Sequence, residues 1–230
     1  PISLTSHMGK IYERIIKNRL EYYLEKNNII PPFQAGFRKY RSCTDHIALL
    51  NSHIKKAFLR KNKIFATFFD IKGAYDSVWH NKLLHKLVKI GLSGHIYNYI
   101  KTFLSNRSIQ VRVGNSYSKK HKIDMGVPQG SVIAPTLFNI MLHDIDKLQL
   151  NKTTKVMYAD DLAIWTEVHK GNKRDNYKKA IKLHQENSDK VTIYMYLNGF
   201  QLSPIKTVFM IFSRTNNTNL NIFLYDTTIK

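Results

Sequence analysis

Apolar and polar positions alternate along the first third of the chain in a pattern typical of helices, broken by one strand. From Ser6 to about Lys26 apolar residues recur at helical spacing among charged ones, which predicts an amphipathic helix with its apolar stripe at Ile11, Ile15, Ile16, Tyr23 and Leu24. Ser42 and Asp45 have the spacing of a capping box. A second helix is therefore predicted to run to about Arg60 and to bury Ile47, Leu50, Ile54, Ala57 and Phe58.

The middle of the chain predicts a buried strand followed by two helices and a hairpin. Residues 64–71 are nearly all apolar, as in a strand that is buried on both faces. The next helix should bury Leu84, Leu87 and Val88 and end at Gly91. A further helical pattern, at Ile96, Ile100, Phe103 and Leu104, leads into alternating residues that predict a hairpin over 108–123.

The last part of the chain predicts a long helix, a second hairpin and a polar helix. The long helix should follow the loop at 126–130 and run to about Gln149, and residues 155–165 alternate around Asp160 and Asp161, which places both acids at a hairpin tip. A polar helix over about 174–198 and a strand over 207–212 come next, and no element is predicted from Thr215 onward. The pattern predicts an α+β class, with short antiparallel strands covered on one face by helices.

Charge narrows the partner class. The chain has 36 Lys and Arg against 16 Asp and Glu, a formal net charge of +20, while 43% of its residues are hydrophobic, enough for a folded core. A folded surface this basic attracts polyanions such as nucleic acid or an anionic membrane surface. A membrane-spanning segment is not expected, because no run of about 18 apolar residues occurs.

The single cysteine and the first residues suggest a cellular setting. Cys43 cannot form an internal disulfide, so we expect an intracellular protein without a disulfide-linked partner. Because the chain starts without Met or a leader, it is expected to be a piece of a longer polypeptide.

Scarce acids point to the chemistry. Asp160 and Asp161 are adjacent at a predicted hairpin tip, and Asp70 ends the predicted buried strand. An adjacent pair of acids can occur in a turn by chance, but two carboxylates on a rigid hairpin repel each other unless a cation neutralises them. Oxygen ligands favour Mg²⁺ or Mn²⁺. Such carboxylates can hold two metal ions for in-line nucleotidyl transfer.

Six short motifs then resemble one family. Residues 69–76 (FDIKGAYD), 126–131 (GVPQGS) and 158–161 (YADD) resemble polymerase motifs A, B and C, in the family's order and spacing. Residues 34–42 (QAGFRKYRS), 103–107 (FLSNR) and 202–207 (LSPIKT) narrow the resemblance to reverse transcriptases of non-LTR, LINE-type retrotransposons, and to the insect jockey-like branch. The resemblance covers the chain to about Arg214.

The resemblance implies a role for each matching residue. Asp70, Asp160 and Asp161 match the metal-binding carboxylates, and the Ile71 carbonyl would complete a coordination shell. Lys206 matches a lysine that protonates the leaving pyrophosphate. On its own, Lys206 would equally be an ordinary surface lysine.

Other matching positions concern substrate binding. Tyr75 matches the aromatic gate that excludes a ribose 2′-hydroxyl, with a core tyrosine as the alternative. Gln129 and Gly130 match a loop that packs against the incoming nucleotide, where glycine allows close backbone approach. Arg38 and Arg41 lie in a finger loop and either contact template phosphate or are solvated charges.

The resemblance also implies an architecture, that of a right-hand polymerase with fingers and palm. Fingers are expected over 1–63 and palm over 64–214, with a fingers insertion around 92–125 and, over 215–230, the start of a connection to an absent thumb. Because the family's basic finger hairpin is also missing before Pro1, we expect an incomplete fragment of the polymerase, and the resemblance leaves open whether this fragment polymerises alone. The expected location is the nucleus, where the family primes synthesis on chromosomal DNA.

Three functions follow as hypotheses. The first is an RNA-directed DNA polymerase core that uses an RNA template, a DNA primer and dNTPs. The second is a catalytically inactive, nucleic-acid-binding remnant of a retroelement. The third, an RNA-templated RNA polymerase, is disfavoured because this chain has Ala159 where such enzymes usually have glycine, and because Tyr75 supplies an aromatic gate.

Overall fold

A computed structural model of the chain describes residues 3–169, 174–214 and 220–229. The helices are α1 (His7–Lys26), α2 (Cys43–Leu59), α3 (His80–Lys89), α4 (Gly94–Leu104), α5 (Ala134–Met141) and α6 (Arg174–Leu197), with a 3-10 helix at His143–Lys147. The strands are β1 (Lys63–Phe69), β2 (Arg107–Ile109), β3 (Arg112–Val113), β4 (Ser116–Tyr117), β5 (His121–Ile123), β6 (Thr153–Tyr158), β7 (Asp161–Val168), β8 (Val208–Phe212), β9 (Ile222–Leu224) and β10 (Thr227–Ile229).

The chain divides into two compact units, each built from separate stretches of sequence. The first unit contains Pro1–Ile30 and Gly73–His143, and the second contains Pro31–Lys72 and Asp144–Lys230. The acids singled out from the sequence all lie in the second unit.

A four-stranded antiparallel sheet is the centre of the second unit. Its strand order is β6-β7-β1-β8, and β1 pairs with β7 from Lys63 opposite Val168 to Phe69 opposite Leu162. Strand β1 is buried on both faces, because α2 packs against Ile64 and Ala66 on one face and α6 packs against Phe65 and Thr67 on the other. The sequence predicted helices on one face only, and the structure places them on both.

Polar residues join α6 to the sheet. Thr67 Oγ1 lies 2.9 Å from His184 Nε2, and Thr166 Oγ1 lies 3.0 Å from His184 Nδ1. The hydroxyls of Thr153 and Thr166 are 2.7 Å apart, and Asn187 Nδ2 donates to the Thr153 hydroxyl over 2.7 Å. The network fixes α6 across β1, β6 and β7, the three strands that lead to the acids.

Helix α1 organises the first unit. The Tyr23 hydroxyl donates to the Ile90 carbonyl after α3, and the Tyr12 ring makes an edge contact with Tyr99 of α4. Two strand pairs, β2 with β5 and β3 with β4, form the predicted hairpin and are largely exposed.

Several predicted core positions are wrong. Ile11, Ile15, Ile47 and Val88 are 56%, 48%, 62% and 57% exposed. Helix α1 instead buries Ile16, Leu20 and Leu24 together with Glu13. Helical spacing alone was ambiguous here, because α1 carries two apolar stripes and the buried one contains an acid.

Two boundaries also differ from the prediction. The helix predicted to reach Gln149 ends as α5 at Met141, and a 3-10 helix follows. In the segment after α5, the Lys155 ammonium donates to the carbonyls of Ile145, Asp146 and Leu148, so a side chain rather than α-helical hydrogen bonds holds these groups. The tail, for which no element was predicted, forms the β9–β10 hairpin, while residues 215–219 lie outside the described ranges.

The remaining predicted elements are confirmed. The β6–β7 hairpin has Asp160 and Asp161 at its tip, and α3 and α6 are followed by Gly91 and Gly199 with positive φ. Within the described ranges, no helix combines the length and apolarity that crossing a membrane requires.

Candidate active site

Asp70 follows the last residue of β1 and is held through its backbone. Its amide donates to the Thr207 hydroxyl over 3.3 Å, and its carbonyl accepts from the Ser203 amide over 2.8 Å. Ile71 pairs with Leu202, and the Lys72 amide donates to the Gln201 carbonyl over 2.8 Å. Residues 201–207 therefore fix the chain at the position where the Asp70 carboxylate leaves the sheet.

Asp160 and Asp161 lie at the β6–β7 turn. Tyr158 pairs with Asp161, so Ala159 and Asp160 form a two-residue turn. Ala159 has a φ of +58°. A left-handed conformation costs a residue with a Cβ about 1–2 kcal/mol. The turn that carries the acids is therefore strained and requires support from its surroundings.

That support comes from a loop beside β6. The Ala159 amide donates to Gln34 Oε1 over 3.0 Å, and Gln34 Nε2 donates to the Ala159 carbonyl over 3.0 Å. The Ala35 amide donates to the Met157 carbonyl, and the Met157 amide donates to the Phe33 carbonyl, both over 2.9 Å. Residues 33–36 thus cover the outer edge of β6 up to the turn.

The charges of Asp70 and Asp160 act on the third carboxylate, that of Asp161. Partial removal from water raises the pKa of Asp161, and the negative charges of Asp160 and Asp70 raise that pKa further. The Lys206 ammonium lies 3.9 Å from Asp70 Oδ2, but its side chain is 72% exposed, so water screens this pair strongly. The cluster therefore carries negative charge that the nearby lysine offsets only weakly.

A cavity of about 300 Å³ lies beside the acids. Asp70, Asp161 and Lys206 form its polar side, and residues of α2 and the sheet, including Phe68 and Trp165, form its apolar side. This volume is at the lower end of the range for small-molecule pockets.

Carboxylate oxygens are the donors that hard divalent cations prefer, so the donor set of Asp70, Asp160 and Asp161 fits such an ion. Partial removal from water is the main cause of the raised pKa of Asp161, and the negative charges of Asp160 and Asp70 add to it. Among the described residues, no group of three or more His, Cys, Asp or Glu side chains is arranged so that it could hold a metal ion. The chemistry of the donors, rather than a preformed cage, is what fits the ion.

The other predicted binding residues lie in the first unit. Tyr75 stacks on Phe138, with ring centroids 5.2 Å apart, and its carbonyl accepts from the Val127 amide over 2.8 Å. Gln129 Nε2 lies 3.4 Å from Asp76 Oδ1, and Gly130 has a φ of +112°. Within this unit, the last two residues of motif A, Tyr75 and Asp76, and the loop at 126–130 are therefore brought together.

Glu13 was not predicted as a functional residue, yet it supports that loop. Its carboxylate is buried and accepts from the Ser131 hydroxyl over 2.6 Å and from the amides of Val132 and Ile133 over 2.6 and 3.2 Å. Negative charge is stabilised at a helix N-terminus, where amides lack helical partners. The only signal in the sequence was an acid beside an apolar stripe.

Arg38 and Arg41 hold their own loop. Arg38 Nη1 donates to the carbonyls of Pro31 and Gln34 over 2.8 and 3.0 Å. Arg41 Nη1 donates to the Pro32 carbonyl over 2.7 Å. Contact of either residue with template phosphate stays a prediction.

Comparison with solved structures defines the class of the fold. The chain superposes on apo telomerase from Candida tropicalis, truncated of its C-terminal domain, with a TM-score of 0.58 and 16% identity over 92% of this chain and 42% of that one. A telomerase from Candida albicans gives a TM-score of 0.57, with 16% identity over 88% of this chain and 35% of that one. The fold is that of a polymerase, with helices and an antiparallel sheet consistent with fingers and palm.

Sequence comparison defines the family. Residues 1–223 match the family "Reverse transcriptase (RNA-dependent DNA polymerase)", and the chain belongs to that family. It is 37% identical over 170 residues to the probable RNA-directed DNA polymerase from transposon BS of Drosophila melanogaster, covering 71% of this chain. It is 34% identical over 173 residues to the polymerase of the mobile element jockey of Drosophila funebris, covering 73% of this chain.

These relatives confirm the predicted resemblance to non-LTR reverse transcriptases. The chain spans 19% of the length of each of the two relatives. Reverse transcriptases generally use a divalent metal ion, in agreement with the donor chemistry of the acids.

Proposed function

We propose that this chain is the core of an RNA-directed DNA polymerase that adds dNTPs to a DNA primer on an RNA template. The observation that supports this proposal best is the cluster of Asp70, Asp160 and Asp161 beside Lys206 at one end of the sheet, in a chain of the reverse transcriptase family. In the reaction, the primer 3′ oxygen bonds to the α-phosphorus of a dNTP. The bond from that phosphorus to its bridging oxygen breaks, and pyrophosphate leaves.

Asp70, Asp160 and Asp161 would hold the cation, and the Ile71 carbonyl would add a further oxygen. We propose Mg²⁺, with Mn²⁺ as a substitute. When bound, this cation would lower the pKa of the primer hydroxyl and stabilise charge on the phosphates. The carboxylates orient it, because β1 and the β6–β7 hairpin are registered in one sheet.

Lys206 is the proposed general acid. Its ammonium lies near Asp70 and is accessible to solvent, so it could donate a proton to the leaving pyrophosphate. If so, Lys206→Ala should lower kcat about a hundredfold with little change in KM. Lys178→Ala, on the exposed surface of α6, is the control and should leave both constants unchanged.

Tyr75, Gln129 and Gly130 are the proposed nucleotide-binding residues. Stacking on Phe138 would hold the Tyr75 ring as the gate against a ribose 2′-hydroxyl. Positive φ at Gly130 allows the loop a conformation that other residues rarely adopt, so its backbone can approach a nucleotide closely.

The nucleic-acid partners follow from charge. A net charge of +20 favours phosphate backbones, with Arg38 and Arg41 as candidates for template contact. One of the similar solved structures is telomerase from Candida tropicalis in complex with a fragment of telomeric RNA. We propose that the present chain likewise binds RNA, as its template. Residues 1–63 and an insertion around 92–125 would form the fingers, and residues 64–214 would form the palm. The proposed location is the nucleus.

The alternative is a chain that binds nucleic acid without catalysis. It is motivated by the net charge of +20, which attracts a polyanion whether or not the acids hold a cation. To distinguish the two functions, the purified protein should be incubated with a primed RNA template and either dNTPs or rNTPs, in the presence of either Mg²⁺ or EDTA. If the proposal is right, the primer is extended only when both dNTPs and Mg²⁺ are present. Salt-sensitive RNA binding without primer extension would establish the alternative.

A further inference from the structure

A single amide side chain holds both polar backbone groups of Ala159. Gln34 Oε1 accepts from the Ala159 amide, and Gln34 Nε2 donates to the Ala159 carbonyl, each over 3.0 Å. Gln34 is 3% exposed, so water cannot readily replace either bond. This residue lies 125 positions from Ala159 in the sequence, and the contact is therefore a feature of the tertiary fold.

Neighbouring groups fix the Gln34 side chain. The Gly36 amide donates to Gln34 Oε1 over 2.8 Å, which distinguishes the amide oxygen from the amide nitrogen. A Cβ on Gly36 would lie 2.1 Å from the Ala159 nitrogen, so only glycine allows the two backbones to approach this closely. Arg38 Nη1 also donates to the Gln34 backbone carbonyl, over 3.0 Å.

Ala159 is the residue in the turn that needs such support. Its φ is +58°, whereas a two-residue hairpin turn with positive φ at the first position ordinarily has glycine there. Without the two bonds from Gln34, the Ala159 Cβ favours a different turn conformation. Asp160 and Asp161 follow directly, so any change of φ at Ala159 reorients both carboxylates.

We propose that Gln34 is a positioning residue that fixes the Ala159–Asp160 turn and so aims the Asp160 and Asp161 carboxylates for binding of the divalent cation. The inference rests on the proposed function, because it assumes that these carboxylates bind a cation. Groups that orient metal ligands typically change metal affinity by about 10- to 100-fold when they are removed. Gln34 acts here on the backbone of the ligands and does not touch the reacting atoms.

The test measures Mn²⁺ binding to the metal-free chain by the loss of the free-ion electron paramagnetic resonance signal. Gln34→Met, of similar size but without the amide, should weaken Mn²⁺ binding about tenfold. Adding Ala159→Gly should restore most of the affinity, because glycine accepts positive φ without support. Hydrogen exchange at the Ala159 amide should become faster in Gln34→Met without any metal present.

Gln185→Met is the matched control. Gln185 also holds a backbone with both ends of its amide: the Phe223 amide donates to Gln185 Oε1 over 2.8 Å, and Gln185 Nε2 donates to the Phe223 carbonyl over 2.9 Å. Gln185→Met removes these two hydrogen bonds to β9, which are exposed, and should change the Mn²⁺ affinity by less than about twofold. A role of Gln34 in stability alone would lower the unfolding temperature of the variant but leave its Mn²⁺ affinity equal to that of Gln185→Met.

Asp160→Asn separates the two possible failures. If the wild type binds Mn²⁺ no better than Asp160→Asn, the metal assignment is wrong and the inference falls with it. If Asp160→Asn loses Mn²⁺ while Gln34→Met binds like the wild type, only the role of Gln34 is overturned. Should Gln34→Met fail to fold, the double variant with Ala159→Gly decides: recovery of fold and Mn²⁺ binding supports the positioning role, and lack of recovery refutes it.

Discussion

At the scale of single residues, the acids at the end of the sheet destabilise the folded chain. Burial and the charges of Asp160 and Asp70 raise the pKa of Asp161, which means that the folded chain disfavours the ionised form. Lys206, 72% exposed at 3.9 Å from Asp70, offsets little of this repulsion. Such destabilising charge is expected where a cation is to bind.

Replacement of Asp161 by asparagine should therefore stabilise the metal-free chain. Because the pKa of Asp161 is raised in the folded state, the ionised carboxylate destabilises the fold at neutral pH, and this penalty disappears as the pH falls through that pKa. At pH 7 in EDTA, Asp161→Asn should raise the unfolding temperature by about 1–2 °C, and by less at pH 4. Calorimetry of both proteins measures the difference.

Divalent cation should reverse this order, because only the wild type has the full set of carboxylates. An Asp161→Asn variant that is less stable than the wild type in EDTA at pH 7 would show that the acids do not repel.

Tyr75 should decide between deoxyribonucleotides and ribonucleotides. Tyr75→Ala removes the ring that stacks on Phe138, so the preference for dNTPs over rNTPs in kcat/KM should fall by about 10- to 100-fold. Tyr75→Phe keeps the ring and should keep the preference. Equal discrimination by all three proteins would make Tyr75 a packing residue.

The candidate catalytic residues could largely be predicted from the sequence, but the residues that hold them in position could not. The types and spacing of Asp70, Asp160 and Asp161 suggested the cluster, because few carboxylates occur in this chain and these three end predicted strands. Gln34 and Glu13 act on backbone amides 125 and about 120 positions away, and no local pattern encodes such contacts.

At the scale of elements, the sheet and α6 are joined by a buried polar network as well as by apolar packing. His184 lies between Thr67 and Thr166, and burial lowers its pKa to about 4. The imidazole is therefore neutral in the folded chain near pH 7 and bridges two strands through hydroxyl groups. Protonation of His184 would place a positive charge in this buried site, next to the two threonines, at a cost in free energy.

The His184 network predicts loss of stability in mild acid. Because the folded pKa of about 4 lies below the unfolded value of 6.5, stability is fully present above pH 6.5 and falls as the pH drops toward 4. This group alone should cost about 1–2 kcal/mol of unfolding free energy between pH 6.5 and 5. Urea titrations at the two pH values measure the change.

His184→Gln, which retains a donor and an acceptor but does not titrate, should lose that part of the pH dependence. If the variant and the wild type lose equal free energy between the two pH values, His184 does not control the acid sensitivity of the sheet.

Elements with a strong local pattern were predicted well. The β6–β7 hairpin, the buried strand β1 and the glycines that end α3 and α6 are confirmed, since alternation and turn residues act over a few positions. The end of α5 was not predicted, because the carbonyls of the 3-10 helix after it are held by the Lys155 side chain of the following strand, a contact that apolar periodicity does not reveal. The β9–β10 hairpin was missed because its strands are three residues long.

For the whole molecule, charge and family membership indicate the same partner. The net charge of +20 is present in a chain that matches the reverse transcriptase family over residues 1–223. Charge alone left nucleic acid and anionic membrane surfaces open, and membership of the reverse transcriptase family supports the proposed nucleic-acid partner.

Binding to single-stranded RNA should depend strongly on salt. Each phosphate neutralised by Lys or Arg releases counterions, so raising the salt from about 50 to 200 mM should weaken binding at least about tenfold if three or more phosphates are contacted. Fluorescence anisotropy with labelled RNA measures the slope. Asp160→Asn should leave the slope unchanged, and affinity that is independent of salt would exclude the basic surface as the RNA-binding site.

Incorporation of a single dNTP on a primed RNA template tests the central claim most directly. Asp160 and Asp226 are each the second residue of a two-residue hairpin turn, which makes Asp226→Asn a matched control for Asp160→Asn. With Mg²⁺ present, we expect the wild type and Asp226→Asn to extend the primer at similar rates and Asp160→Asn to be slower by at least about a hundredfold. Equal rates for Asp160→Asn and the wild type, or no extension by any of the three, would contradict the assignment of this chain as an RNA-directed DNA polymerase core.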